Sequence, residues 1–430
     1  MNKDKWSSIS DWFKRLLKLE EEPGLDEESD DNLQVEERPL SSGNILKINL
    51  PEGDLKSRLE RRRRRKRIIW TAVIAAVVFT VGGFVLYNKY HTFNDYIIAD
   101  SIENKVAAGT KYESAGKNIY RYNSDGVSCV SRTNELKWSI TYNMQAPIAD
   151  ICGSTMVIAE QQGNQIYVIN EDGLIGSFES LLPILKVRVS KQGVVAAVLE
   201  DDDVTWVNLY QPDGTQIAGD KTTIPESGYP LDIDISPNGE KLAVSYLSVS
   251  EGLMTSTAAF YDFGSSGSTA ENYLVGSEEF TAVIMPEIYF TGNSSAAAVT
   301  DSGFVVFKGG SMKQTASVTF EEEIVSTFHD DERIGFLFKG DEEHDYRMEL
   351  YNYRGKRKTS SQINASFDEI RIQNGQILMY GEKSCHVFTM SGVTRFSSAY
   401  EKTIEDMFYF SEFRKYLIIT RDSFDRIRIS

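Results

Sequence analysis

"MVIAEQQGNQIYVINEDGLIGSF" (Met156–Phe178) reads as three apolar strands joined by tight turns. Val, Ile and Tyr fill the strands, where such side chains pack well on a pleated surface, and Gly, Asn and Asp fill the turns. With the preceding residues the stretch resolves into four strands: Ile148–Cys152, Thr155–Glu160, Gln165–Asn170 and Gly173–Glu179. The pattern then recurs. Val187–Ser190, Val194–Glu200 and Val204–Tyr210 lead to a strand from Thr215, after the turn Pro212-Asp213-Gly214. A third unit opens with "YPLDIDISPNGEKLAVSY" (Tyr229–Tyr246), where Pro237-Asn238-Gly239 is a turn signature. Further units start near Ala282, Glu323, Phe367 and Thr403, and Tyr112–Thr141 forms one more on the N-terminal side.

Starts spaced about 36 to 50 residues apart match the length of a four-stranded propeller blade. The units predict an all-β ectodomain over residues 105–430, a β-propeller of eight blades. Seven is the second count, reached if the terminal units merge. The first unit reads as lacking its first strand, and the last as ending after its third. Closing the ring matters physically, because an open sheet edge would pair with other chains. Antiparallel turn chemistry argues against a solenoid, and a β-sandwich needs fewer strands.

Ahead of the repeats, seven consecutive basic residues (Arg61, Arg62, Arg63, Arg64, Arg65, Lys66, Arg67) run into an uncharged apolar stretch from Ile68 to Tyr87. Twenty residues at about 1.5 Å each span roughly 30 Å, the thickness of a bilayer's hydrocarbon core. The reading is a transmembrane helix over 68–88, anchored by Ile68, Trp70, Phe79, Phe84 and Tyr87. The basic run keeps its side of the span cytoplasmic and has the charge to meet anionic lipid there. A cleaved signal peptide would carry a far shorter charged leader and a small-residue cleavage site after the apolar core. An uncleaved signal-anchor is therefore expected, with residues 1–67 cytoplasmic, 89–104 a linker, and the propeller outside the cell membrane. Within the linker, Asn94 to Val106 reads as a short helix.

Inside the tail, Trp6, Ile9, Trp12, Phe13, Leu16 and Leu17 fall at helical spacing over residues 4–19, with Lys14, Arg15 and Lys18 between them. Such a helix suits the inner membrane surface or a partner's groove. Residues 20–40 are acidic, poor in apolar groups and expected to be disordered.

Charge divides the chain. Of its 46 Lys and Arg, 16 precede Ile68, and of its 63 Asp and Glu, 15 do, so the remainder holds 30 basic against 48 acidic residues. An outer domain this acidic disfavours nucleic acid, anionic wall polymers and lipid headgroups, and favours cationic partners. Three cysteines, Cys129, Cys152 and Cys385, make no disulfide framework. A Cys129–Cys152 bridge and three free buried thiols are both open on spacing alone.

"DGVSCVSRTNELKWSI" (Asp125–Ile140), with Trp138 at the tryptophan position, resembles a quinoprotein-type blade, and "DISPNGEKLAVSY" (Asp234–Tyr246) is similar to the strand pair of TolB-like and WD-repeat-like blades. The whole arrangement resembles a family of single-pass membrane propeller proteins of clostridial-type Gram-positive bacteria. The resemblance implies the propeller over about residues 105–430 and says little of function. Quinoproteins repeat the tryptophan in most blades, whereas this region has only Trp138 and Trp206, which argues against a quinone; no cofactor is expected. No Trp-Asp dipeptide ends a strand either.

No constellation reads as catalytic, and none as a metal site. The histidines His91, His329, His344 and His386 are far apart, and there is no Gly-x-Ser-x-Gly elbow or phosphate-cradling loop. The acidic runs Glu200–Asp203 and Asp341–Asp345 read as hairpin tips, because the spacing and central glycine of a calcium loop are missing. Gly292–Phe304 is a turn followed by a small-residue strand. The function these residues point to is a surface scaffold or sensor, binding a protein or ligand on the propeller face and an inner partner through residues 4–19. The alternative is a carbohydrate-active hydrolase or lyase using carboxylates on the propeller axis.

Overall fold

Short turns set most hairpins of the propeller. In the segment that opens the argument, the strands form at Pro147–Cys152, Thr155–Glu160, Gln165–Asn170 and Gly173–Glu179. Gly153 and Gly239 take positive φ at their turns, as the Asn-Gly and Gly-Ser pairs there require. The structure is a computed structural model; it describes residues 52–430 apart from 202–203, 224–227, 265–266, 268–269 and 411–413. The proposed amphipathic helix at 4–19 and the acidic segment 20–40 lie outside the described residues.

Thirty-two strands, β1 to β32 along the chain, make eight four-stranded antiparallel sheets. Blade 1 holds β2–β5 (111–141), blade 2 β6–β9 (147–179), blade 3 β10–β13 (184–223) and blade 4 β14–β17 (229–281). Blade 5 holds β18–β21 (287–319), blade 6 β22–β25 (324–363) and blade 7 β26–β29 (369–399). Blade 8 takes β30, β31 and β32 (404–429) from the C-terminal end and its outermost strand, β1 (Tyr96–Glu103), from the N-terminal side. The first strands of neighbouring blades touch one another and form the inner ring. The chain is an eight-bladed β-propeller.

Its core is eight apolar layers, one between each pair of adjacent blades. A middle strand therefore has no solvent face. On β7 (Thr155–Glu160), Met156 and Ile158 pack toward blade 1, while Val157 and Ala159 pack toward blade 3. β19 (Ser295–Thr300) is buried along its apolar length for the same reason, as its small side chains predict. Phenylalanines such as Phe304, Phe336 and Phe388 are fully buried, and truncating one to alanine would cost about 3–5 kcal/mol.

Two expectations are corrected at the ring's seam. The segment Asn94–Val106 is not helical: Tyr96 to Glu103 pair with Ile429 to Ser423 of β32 (Ser423–Ile429), so the linker holds the closing strand. Ile102 packs on the layer between blades 8 and 1, Ser101 donates to Asp425, and Arg426 pairs with Asp100 at 2.8 Å. A free sheet edge outweighs local helix propensity here. Blade 1 is also complete, because Lys111–Ala115 (β2) is its first strand.

Ahead of the propeller, the helix α1 runs from Glu52 to Tyr90. Within it Arg63–Phe84 has a mean hydropathy of 1.9, long and apolar enough to cross a membrane. Phe79 is 81% exposed, and Ile68, Trp70, Phe84 and Tyr87 are exposed too. Arg63 to Arg67 continue the same helix with their side chains exposed; those of Arg61 and Arg62 lie outside the description.

A chain beginning at residue 105 leaves blade 8 with three strands and β32 with a bare edge. Its thermal midpoint should fall by roughly 10 °C or more, or it should aggregate, compared with a chain beginning at residue 91. Equal midpoints would show that β1 does not close the ring.

Candidate functional site

Each inner strand presents one edge that no other strand covers, and the N–H groups on that edge need partners. Side chains from the preceding blade supply several. The Val189 N–H donates to Asp150 Oδ2 at 2.8 Å, Ile288 N–H to Asp232 Oδ2 at 3.0 Å, Phe290 N–H to Asp234 Oδ2 at 2.6 Å, and Tyr409 N–H to Gln373 Oε1 at 2.7 Å. A polar residue in the middle of an otherwise apolar strand, as in "PIADIC" or "YPLDIDI", is thus a latch to the next blade.

The same strands carry a ring of charge to which every blade contributes. Arg188 of β10 (Ile184–Val189) lies 3.1 Å from Asp232 of β14 (Tyr229–Ile235) and 4.0 Å from Asp150 of β6 (Pro147–Cys152). Lys186 reaches Asp232 at 3.0 Å. His329 meets Glu287 at 3.1 Å and stacks on Tyr289 with ring centroids 3.6 Å apart. Across the ring Arg371 pairs with Asp406 at 3.0 Å, and the Tyr380 hydroxyl donates to Asp406 at 2.7 Å. Glu113, from blade 1, faces Arg371 and Asp406 without an ion pair of its own among the described residues.

Carboxylates outnumber cations in this ring, and their proton affinities follow. Burial, reinforced by Asp150, pushes Asp234 up to about 8. Burial also pushes Glu113 up to about 7, against the pull of Arg371. Asp406 rises to about 6, where burial outweighs Arg371 and Tyr380. Burial works against Glu287 as well, but its hydrogen bond from His329 and the nearby cations hold it below the usual range. The axis can therefore hold protons near neutral pH and can favour a cationic group. Sequence reasoning missed these residues. Their signal was one or two charged or histidine residues in the first strand of each blade.

Away from the axis, a cleft of ≈ 270 Å³ opens between blades 3 and 4, lined by Ile217, Leu242, Tyr246, Tyr261, Phe263 and Tyr273. Its walls mix aliphatic and aromatic side chains with polar groups, Asn272 among them.

The other singled-out residues hold structural places. Trp138 packs on Tyr120 and donates from Nε1 to the Glu171 carbonyl at 3.0 Å, tying blade 1 to blade 2. Glu200 and Asp201 end β11 (Val195–Asp201) opposite the start of β12 (Val204–Tyr210), a hairpin as expected; Asp202 and Asp203 lie outside the described residues. Asp341 Oδ1 accepts from the N–H groups of Glu343 and His344 at 2.9 Å each and so organises its own tip. Among the described residues no group of three or more His, Cys, Asp or Glu is arranged to hold a metal ion. All three cysteines are free, which removes the Cys129–Cys152 bridge. Cys129 lies in the layer between blades 1 and 2, Cys152 packs on the layer between blades 2 and 3, and the sheet of blade 2 separates them.

Ring closure, inter-blade layers and a latched axis define a β-propeller scaffold. Over residues 89–429 the sequence matches the family of unknown function DUF5711, and the chain belongs to that family. No curated protein matches it in sequence. Among solved structures it is similar to BamB from Moraxella catarrhalis, with a TM-score of 0.48 and 9% identity over 78% of this chain and 100% of that one. Saccharomyces cerevisiae Sqt1 gives 0.47 and 10% over 80% and 99%, and Kuenenia stuttgartiensis hydrazine synthase 0.43 and 10% over 67% and 96%. Likenesses this remote do not bear on what the chain binds.

Asp234 and Glu113 bind protons more tightly in the folded state than in an unfolded chain, where carboxylates titrate at about 4. Stability should therefore be full below that range and fall as pH rises through 7 to 8. Asp234→Asn, which keeps an acceptor for Phe290, should raise the thermal midpoint, and by more at pH 8 than at pH 5. A variant whose midpoint runs parallel to that of the native chain across this range would contradict the assignment.

Proposed function

We propose that the chain is a membrane-anchored, extracytoplasmic propeller whose loops bind a partner at the cell surface. Arg61–Arg67 beside an exposed apolar helix support the anchor and its orientation by the positive-inside rule. One observation carries the binding reading: a hairpin in blade 4 that overreaches its sheet. Its strands, β15 (Lys241–Ser250) and β16 (Leu253–Asp262), have ten residues each, against five to eight in the other strands. The partner strand β14 stops at Tyr229, opposite Leu247, so the tip extends about three residues further, roughly 10 Å. That tip carries Val249, 63% exposed, with Leu253 and Met254, also exposed. Leu181, 94% exposed, and Tyr229 lie on the same side of the ring, at connections between blades. Apolar side chains gathered on one face in this way support a protein-binding surface.

A second reading, a hydrolase or lyase, draws on Asp234 being held protonated beside other axial carboxylates. It ranks lower because Asp232 and Asp234 already spend an oxygen on the latches of blade 5.

A photo-crosslinking residue in place of Val249 should trap a discrete species in cells, and Leu253→Asp should abolish it. Both positions are exposed, so folding stability should change by no more than about 0.5 kcal/mol. Protease added to intact cells should remove residues beyond 90 and spare the tail. Protection of the C-terminal part would sink the topology, and an empty crosslink at Val249 in correctly inserted protein would sink the binding face.

A further inference from the structure

The 48 acidic and 30 basic residues beyond Arg67 are not spread evenly over the propeller. Each blade sends its second-to-third strand turns and its connections to the next blade to one face. There lie "FEEE" (Phe320–Glu323), "DEEHD" (Asp341–Asp345) and Glu200–Asp201. The first-to-second and third-to-fourth strand turns occupy the other face. This second face carries "YRGKRK" (Tyr353–Lys358) on blade 6, Lys313 on blade 5, Arg428 on blade 8, and Lys117 and Lys137 on blade 1, the basic side chains all exposed. Arg354, Lys356, Lys358 and Lys313 have no ion pair among the described residues. Acidic side chains do occur on this face, Asp330–Glu332 on the inner side of blade 6, Glu171-Asp172 on blade 2 and Glu135 beside Lys137 on blade 1, but exposed basic side chains predominate on its outer side at blades 5, 6 and 8.

The chain joins the ring on that same basic face. Tyr96, the first residue of β1, lies opposite Ile429, at the end of β32 that leads away from its hairpin turn. Just before it, the Phe93 N–H donates to the Arg395 carbonyl at 2.9 Å, and Ser397 N–H donates to the Phe93 carbonyl at 3.1 Å. The buried Phe93 ring stacks on His91 and meets the guanidinium groups of Arg395 and Arg414, at 5.5 and 4.4 Å from its centroid. Only residues 91–95 separate the end of α1 from β1, a connection of at most roughly 18 Å.

We infer that the arc from Lys313 through Arg354, Lys356 and Lys358 to Arg428 and Lys137 is a contact surface for anionic lipid headgroups, and that it holds the propeller with its acidic, apolar-tipped face turned away from the bilayer. The inference rests on the anchored reading. It revises what net charge alone suggests, because lipid meets one face and not the average of both. A basic residue close to an anionic surface contributes about 1 kcal/mol, roughly a fivefold change in the population in contact.

The test uses the full chain in nanodiscs of phosphatidylcholine alone or with phosphatidylglycerol. A fluorophore is placed at Ser391→Cys, an exposed turn position of blade 7 on the basic face, and a headgroup quencher is built into the lipid. Quenching should be strong only with phosphatidylglycerol and should weaken with added salt. Arg354→Glu, Lys356→Glu and Lys358→Glu together should reduce the contacting population by at least roughly fivefold. Glu321→Lys with Glu322→Lys, on the other face, should leave it unchanged and controls for folding. Equal quenching in both lipids, or none lost on triple reversal, would overturn the proposal. Failure of the chain to enter nanodiscs at all would instead remove the anchored reading, and this inference with it.

Discussion

A ring of eight sheets packed face to face has one joint that a continuous chain cannot make with a hairpin, and here it is the ladder between β1 and β32. Every other blade takes its four strands from consecutive sequence. Blade 8 borrows its fourth from 300 residues earlier, so the two ends of the propeller fold as one unit. The borrowed strand lacks a strong apolar pattern, and most of its residues are exposed. What holds it is the hydrogen-bonded edge of β32 together with Ser101 on Asp425 and Asp100 on Arg426. Asp425 is itself fixed by Lys402 at 2.8 Å and Tyr400 at 2.7 Å. The seam is therefore polar and cooperative, unlike the apolar layers on either side. Loss of any single partner would leave a buried carboxylate short of donors.

At the axis the same physics yields a different outcome. Inner strands need acceptors for their bare N–H groups, and carboxylates are good acceptors. Each one placed there adds charge to a confined space. Three cations, Lys186, Arg188 and Arg371, offset part of it. The remainder is relieved by proton uptake, which is why Asp234 and Glu113 move toward neutral pH while Glu287, beside His329, moves the other way. Architecture thus accounts for Asp150, Asp232 and Asp234, which serve as latches, without any ligand. The axial carboxylates are perturbed because they are buried together in a crowded ring, and a perturbed carboxylate by itself is weak evidence for catalysis.

Much of the fold was legible because propeller blades are built from local signals. The strands Thr155–Glu160, Gln165–Asn170 and Gly173–Glu179 stand where turns rich in Gly, Asn and Asp put them. The two strands at the seam were not legible. "YIIADSIE" pairs with a partner more than 300 residues away, and "KYESA" has one large apolar side chain, Tyr112. Long-range pairing leaves no local periodicity to read. The axial ring was hidden for a related reason. Asp150 in "PIADIC" looks like an exposed residue in a half-buried strand, and only the closed ring reveals that eight such positions converge. Cys129 and Cys152 show the limit of spacing arguments, since two residues on neighbouring blades can face opposite sides of one sheet.

Composition averages over surfaces that a fold keeps apart. The excess of acid beyond residue 67 led to the expectation that anionic surfaces would repel this domain, and for the face bearing Glu321–Glu323 and Asp341–Glu343 that logic stands. Exposed charges more than a Debye length apart, about 8–10 Å at physiological salt, act almost independently. A propeller is at least about twice as thick as that, because each strand of six residues already spans roughly 20 Å. Its two faces therefore present separate potentials, one acidic and one with a basic outer arc around the point where the chain arrives. A single tether attached to such a two-sided disc can set not only where the domain is held but which way it faces. For a binding scaffold, presenting the loops of one chosen face outward is the property that rigidity and ring closure make available.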